Sequence, residues 1–391
     1  MNPSYRVRQF GGFADLPPAY RALLDGEIER HGFFREPDWF DYLMRNFFDD
    51  GDRLRLAGVE EIDTGRPVLL APLRDTTSDY AVRKGRLIGS VSDPENYATA
   101  ALMFDQAVEE PVPILEAMFR HFRSGDKGEH PGRIDAIRIW PVERHSRLGD
   151  AVYRALRGAG FLIQAYANSF NYFEDTTGLS YADYFARRSA NLRYSVRRRQ
   201  RALEKTGGLE FALASEPADV GNAAKEYAFV SHASWKTPGT MLAMQTLRLM
   251  HLCARKGCLR LGILRLAGVP VAAQFWIVSG GAAHCIRLAY HEDYKKLAVG
   301  VVLTNFMIAH VLDQDRVREI AFGVGRDEYK SGWMKDTREY YGFIAFNPST
   351  PLGLLYAFRH IQGRRAKRLI KWGLGLVRRR RAKETETVDA K

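Results

Sequence analysis

Between Leu259 and Tyr290 the chain holds three strand-length runs, Leu259–Leu266, Val269–Val278 and Ala282–Tyr290, separated only by Ala267-Gly268 and Gly280-Gly281. Two-residue glycine turns between apolar runs close hairpins and leave no room for a crossover helix. The segment therefore predicts an antiparallel meander. After it come a helix at Gly300–Leu312, a strand at Glu319–Phe322, a helical turn at Tyr329–Trp333 and a strand at Tyr340–Phe346. A meander followed by alternating helix and strand predicts a mixed α/β sheet.

The first part of the chain has the same order. A strand is predicted at Tyr5–Phe10. Helices follow at Leu16–His31 and Pro37–Phe47, the latter with Pro37 at its first position. Short strands are expected at Leu54–Ile62, Pro67–Leu73 and Arg86–Val91. Next come a helix at Pro111–Arg123, a strand at Ile134–Trp140, a helix at Arg147–Ala159 capped by Gly160, and a strand at Phe161–Phe173. Ahead of the meander, Tyr181–Lys205 reads as one long basic helix closed by Gly207-Gly208. A strand at Leu209–Ala214 and helices at Ala218–Trp235 and Thr240–Lys256 complete the second half. The repeat is one of architecture, with boundaries near 165 and 350.

Charge is placed unevenly. The chain carries +12, of which the last 40 residues hold +9, so the body is nearly neutral. The basic end thus points to a local anion-binding tail more than to a body built for nucleic acid. In residues 351–391, Leu354, Phe358, Ile361, Leu369, Trp372 and Leu376 share one helical face, with Arg364, Arg365 and Arg368 among the cations opposite. Such a helix suits an anionic membrane surface, and its guanidinium cluster suits a nucleotide such as a cyclic dinucleotide. The alternative is a helix docked on the body. Three cysteines, Cys253, Cys258 and Cys285, form no disulfide framework, no run is long and apolar enough for a spanning helix, and no signal peptide is visible. A cytoplasmic protein is expected, peripheral at the inner membrane if the tail binds lipid.

The stretch from Tyr290 to Trp333 carries the candidate chemistry. A strand end feeds the helix at Gly300, whose first-turn amides suit a phosphate, with Lys295 and Lys296 just before it. A plain strand-to-helix connection is the alternative. The basic run Arg187, Arg188, Arg193, Arg197, Arg198, Arg199 and Arg201 requires an anionic ligand or acidic side chains nearby.

The ordered set Arg187-Arg188-Ser189-Ala190-Asn191-Leu192-Arg193, Ala233-Ser234-Trp235-Lys236, Leu264 to Ala272, Tyr290-His291-Glu292-Asp293-Tyr294, Gly300 and Tyr329-Lys330-Ser331-Gly332-Trp333 resembles the GNAT acyltransferase superfamily. The likeness is to the CelD-like branch associated with bacterial exopolysaccharide synthesis and to its FemABX relatives. It spans roughly Ser180 to Phe346. Gly89-Ser90-Val91-Ser92-Asp93 and Pro37-Asp38-Trp39-Phe40 also look like that branch.

The resemblance implies two tandem GNAT-like domains, a non-catalytic one at 1–165 and an acyltransferase at 166–350. Acetyl-CoA would be the acyl donor, its pyrophosphate at Lys296, Val299, Gly300 and Val301, and no metal is implied. Tyr329 would be the acid that protonates the departing thiolate. His232, His284, Asp293 and Glu328 are candidate bases, with His284 and Asp293 named first. Trp235, Lys236, Arg287 and Lys330 would meet the acceptor, an amino sugar of a polysaccharide or of its lipid-linked precursor. A second reading is an aminoacyl transferase using charged tRNA. A third, a degenerate acyltransferase serving as a nucleotide-responsive scaffold, is motivated by Ala321, where the family phrase often has Asp, and by the single glycine in the phosphate turn.

Overall fold

The computed structural model describes residues 4–76, 85–93, 98–125, 133–234, 239–325 and 328–362. In chain order the first half runs β1 (Tyr5–Phe10), α1 (Pro18–His31), α2 (Pro37–Phe47), β2 (Arg53–Glu61), β3 (Pro67–Thr76), β4 (Leu87–Ser90), β5 (Met103–Phe104), α3 (Pro111–Ser124), β6 (Ala136–Glu143), α4 (Arg147–Gly158) and β7 (Leu162–Asp175). The second half continues with α5 (Tyr181–Ala186), α6 (Ala190–Thr206), β8 (Leu209–Ala214), α7 (Pro217–His232), α8 (Thr240–Arg255), β9 (Leu259–Leu266), β10 (Val269–Ser279) and β11 (Ala282–Tyr290). It ends with α9 (Val299–Asp313), β12 (Glu319–Val324), α10 (Glu328–Trp333), β13 (Asp336–Phe346) and α11 (Pro351–Ala357).

The meander forms as its turns dictate. Ala267 and Gly268 lie at φ 48° and 78°, and Gly280 and Gly281 at 60° and 79°. Two consecutive left-handed residues match the twist of flanking strands and set β9, β10 and β11 antiparallel. The second turn also joins the halves. A Cβ on Gly280 would lie 2.6 Å from the His31 backbone, and one on Gly32 would lie 2.1 Å from Ser279 Oγ. Ser279 Oγ accepts the Phe33 amide at 2.8 Å.

The thirteen strands among the described residues form one sheet in the order β1-β2-β3-β4-β6-β13-β7-β12-β11-β10-β9-β8, with β5 paired to β3. Each half contributes an antiparallel run that ends in a parallel pair, β4 with β6 and β11 with β12. The terminal strands are exchanged. β7 follows the first half's α4 yet pairs with β12, whereas β13 follows the second half's α10 yet pairs with β6. β7 and β13 pair with each other along their length. Residue 165, the expected boundary, therefore falls inside a strand both halves share.

The core crosses the same line. Tyr20, Phe33, Trp39, Phe40 and Leu43 of the first half pack in one cluster with Val230, Leu249, Met250, Leu261 and Phe275 of the second. Tyr42 Oη donates to the Gln245 carbonyl at 3.1 Å, and Lys256 Nζ meets Glu36 at 2.7 Å and Asp38 at 2.5 Å.

The long helix expected over Tyr181–Lys205 is two helices. Ser180 and Asp183 form a capping box on α5, and Ser189 caps α6 by accepting the Leu192 amide at 3.2 Å. Arg188 sits in the break because its side chain turns into the core, where it pairs with Glu174 and donates to the Trp333 carbonyl at 2.5 Å. At the C-terminal end, Tyr356 and Ala357 of α11 pack against Leu87, Ala136, Ile344 and Phe346. Leu354 and Phe358 remain exposed. Arg364, Arg365 and Arg368 lie outside the described residues. No described helix is long and apolar enough to cross a membrane.

Candidate active site

β11 and β12 pair only over Ala282–His284 and Glu319–Ala321. Beyond these residues the two strands part, and β12 ends in an irregularity at Gly323, φ 61°. The opening is a cavity of about 700 Å³, a size that suits a small-molecule ligand. Cys285, Arg287, Leu288 and Tyr290 of β11 form one wall, and Phe322, Tyr329 and Lys330 the other. Val299, Gly300 and Val301 of α9 close one end, while Arg199 of α6 and Tyr227, Ser231 and Ser234 around the end of α7 complete the lining.

The start of α9 faces this space. Ala298 precedes it in the left-handed conformation, φ 52° and ψ 41°, and no side chain caps the helix. The Val301 and Val302 amides turn back to the Ala298 carbonyl at 3.0 and 3.4 Å. The amides ahead of them have no intrahelical partner and point to where an anion is favoured. Lys295, paired with Glu292 at 2.9 Å, stands beside them. Lys330 Nζ is held by the Val324 carbonyl at 2.6 Å, which anchors its charge at the parted end of β12.

The Tyr329 hydroxyl reaches the cavity from α10 and hydrogen-bonds Thr304 of α9. Thr304 is fully buried, and its hydroxyl donates to the Gly300 carbonyl at 2.9 Å. Burial pushes the Cys285 thiol up to about 12 despite Lys330 and Arg287 nearby, so it lines the wall as a neutral group. Burial likewise raises the Tyr227 phenol above its usual value, against the opposing charge of Arg287.

The structure thus brings Val299, Gly300, Val301, Arg287, Tyr329 and Lys330 to one cavity, and it separates other candidates from it. His284 leaves the cavity wall and packs edge-on against Phe34, ring centroids 5.0 Å apart. Burial and the charge of Arg338 lower its imidazole to about 4, which makes it a poor proton acceptor. Asp293 is 86% exposed in the turn before α9 and lies 3.9 Å from His291, away from the cavity lining. Lys296 is exposed on the same turn, and of that lysine pair it is Lys295 that lines the cavity. Trp235 and Lys236 lie outside the described residues, as does the Glu328 side chain. Of the basic run, Arg188 has an acidic partner in the core, while Arg199 faces the cavity.

Two features escaped the sequence reading. Asp93 is a buried carboxylate of the first half. With Trp39 and Tyr42 it lines a small annex of about 20 Å³, whose Leu242, Thr246, Ile286 and Arg287 are also walls of the main cavity. A carboxylate among aromatic faces is a setting for a cationic amine. Second, the matching cleft in the first half is stitched shut. Past the β4–β6 pairing, Ser92 Oγ donates to the Trp140 carbonyl at 2.6 Å and Ser90 Oγ accepts the Trp140 amide at 3.0 Å. Among the described residues no group of three or more His, Cys, Asp or Glu converges to hold a metal.

An antiparallel meander, a splayed parallel pair and a helix aimed into the split make a GNAT-type fold. Residues 190–331 match the model of a family described as an acetyltransferase (GNAT) domain. The solved structure of FemX superposes with a TM-score of 0.58 at 11% identity, covering 90% of this chain and 100% of that one. A tandem GNAT protein from the clavulanic acid biosynthesis pathway gives 0.49 at 12% identity, covering 89% and 100%. The C-terminal domain of a putative lysylphosphatidylglycerol synthetase from Agrobacterium fabrum gives 0.46 at 11%, covering 86% and 96%. No curated protein matches the chain. Residues 190–331 thus carry a GNAT-domain match, and the chain as a whole shares the fold of FemX.

Proposed function

We propose that the chain transfers an acyl group from acetyl-CoA to the amine of an amino sugar, in an exopolysaccharide or its lipid-linked precursor. The observation that carries this reading is the meeting, in one cavity, of the uncapped start of α9 and the Tyr329 hydroxyl. A pyrophosphate at the Val299–Val301 amides, with Lys295 beside it, would run the thioester along β11 toward Tyr329. There the hydroxyl would protonate the thiolate as the C–S bond breaks. The acceptor amine would enter beside Asp93 and Arg287, where the first half contributes to the cleft. On this reading the first half is non-catalytic, because its own cleft is closed by Ser90 and Ser92.

A charged-tRNA donor is the second reading. It is favoured by the outer face of α6, where Arg193, Arg197, Arg198, Arg201 and Lys205 flank an open groove of about 610 Å³ beside the exposed ring of Tyr194. Calorimetric titration with acetyl-CoA and CoA separates the two. Micromolar binding of acetyl-CoA that weakens in a Gly300→Glu variant supports the acyl-CoA enzyme. No binding at millimolar acetyl-CoA, together with steeply salt-dependent binding of aminoacyl-tRNA, overturns it.

A further inference from the structure

Behind Tyr329 a chain of buried polar groups runs from β10 to α9. Trp276 Nε1 donates to Gln274 Oε1 at 2.8 Å. Gln274 Nε2 lies 2.5 Å from Thr304 Oγ1 and 3.3 Å from the Gly300 carbonyl. Thr304 Oγ1 lies 2.9 Å from that same carbonyl and also bonds the Tyr329 hydroxyl. Trp276, Gln274 and Thr304 are fully buried.

The direction of each bond follows from the donor inventory. An indole N–H only donates, so the Gln274 oxygen faces Trp276 and both amide hydrogens face α9. One serves Thr304 and the other serves Gly300. The threonine oxygen therefore always accepts from Gln274, and its single proton has two acceptors to choose from. With the proton on the Gly300 carbonyl, the bond between the two hydroxyls needs Tyr329 to donate to Thr304. With the proton on the Tyr329 oxygen, Thr304 is the donor of that bond, the direction that suits a phenolate. The Gly300 carbonyl keeps a partner in both states because Gln274 also reaches it.

We propose that Thr304 is a positioning residue whose hydroxyl holds the Tyr329 phenol and donates to the phenolate left when Tyr329 acts as the acid. The inference rests on the acyl-transfer reading above. In the step itself the C–S bond of the tetrahedral adduct breaks, the Tyr329 O–H bond breaks and the S–H bond forms. Thr304 keeps its proton and turns it onto the phenolate oxygen. The proton shed by the acceptor nitrogen returns through water to Tyr329, so the enzyme ends as it began. Trp276 and Gln274 act earlier, by holding the threonine oxygen as an acceptor from one side and leaving its proton to swing on the other.

The test reads Tyr329 directly and needs no acceptor. The full chain carries 3-fluorotyrosine at position 329, and its fluorine resonance is followed against pH in the parent, in Thr304→Val and in Thr304→Ser. Loss of a hydrogen bond to the charged form should raise the phenol's titration midpoint in Thr304→Val by about one unit. The serine variant keeps the hydroxyl and should titrate like the parent. Thr304→Ala replaces the valine variant if valine prevents folding. An unchanged midpoint on loss of the hydroxyl, or an equal rise in the serine variant, overturns the proposal. Acetyl-CoA binding by the same proteins is scored separately, so absence of binding counts against the acyl-CoA reading while the fluorine titration alone decides the role of Thr304.

Discussion

Gly300 separates a structural requirement from a functional one. A Cβ built on it would lie 3.5 Å from Tyr290 Cδ1, 3.8 Å from Leu288 Cδ2 and 4.0 Å from Tyr290 Cβ. All three are ordinary contact distances, and the residue sits in a helix, so the fold does not need glycine here. Replacing a helical glycine by alanine favours the folded state by about 0.5–1 kcal/mol. Spread over the unfolding entropy of a 391-residue chain, that raises the melting temperature by roughly 1 °C. The added methyl does, however, enter the cavity between Leu288 and Tyr290, beside the first-turn amides. If a pyrophosphate needs close backbone approach there, Gly300→Ala should weaken acetyl-CoA at least about tenfold, or about 1.4 kcal/mol. Calorimetry and thermal melts on the same preparations check both halves of the expectation. A variant that is equally stable and binds acetyl-CoA like the parent would refute a donor phosphate lying against Gly300.

Tyr329→Phe should leave acetyl-CoA binding within twofold and lower thiol release, with glucosamine as acceptor, by about 10²-fold or more. Arg188→Met leaves the buried Glu174 carboxylate without its partner and should cost about 3–5 kcal/mol of stability, read from urea unfolding. The low His284 imidazole sets an acid limb. Above about 6.5 the group is neutral folded and unfolded, so it contributes nothing to pH dependence. As pH falls toward about 4 only the unfolded state takes up the proton, and stability drops by up to about 3 kcal/mol. His284→Gln should flatten the urea midpoint between pH 7 and 4.5. If the acceptor amine enters beside Asp93, Asp93→Asn should raise KM for an amine acceptor while acetyl-CoA binding holds.

Local patterns carried much of the fold. The meander was legible because glycine turns are two residues long and admit one geometry, and β8, β9 and β11 have the expected ends. Gly300 and Tyr329 were legible as a pair because each follows a strand end. What escaped was non-local. Nothing in the β7 or β13 sequence marks exchange, since a strand's pattern states which faces are buried and not which neighbour it pairs with. The break at Arg188 was hidden because a buried arginine and six surface ones look alike until Glu174 is placed. Asp93 stood only inside a family-like phrase with no role attached, and Gln274 gave no signal, for the same reason: a lone polar residue acquires meaning from partners far along the chain.

The exchange of β7 and β13 also bears on how the chain is made. During synthesis the first half emerges with β6 as an open sheet edge, and its partner β13 is translated only after the elements from β7 to α10. For most of translation the nascent first half must carry an unpaired edge next to a growing apolar second half, a setting that invites aggregation or pairing with another chain. Closure of the sheet between β6 and β7 waits for Phe346. Of two separately expressed fragments cut at residue 165, the first would lack β13, the partner of β6, and β7 would be divided between them. Co-expression, rather than isolated domains, is the arrangement under which such pieces would assemble.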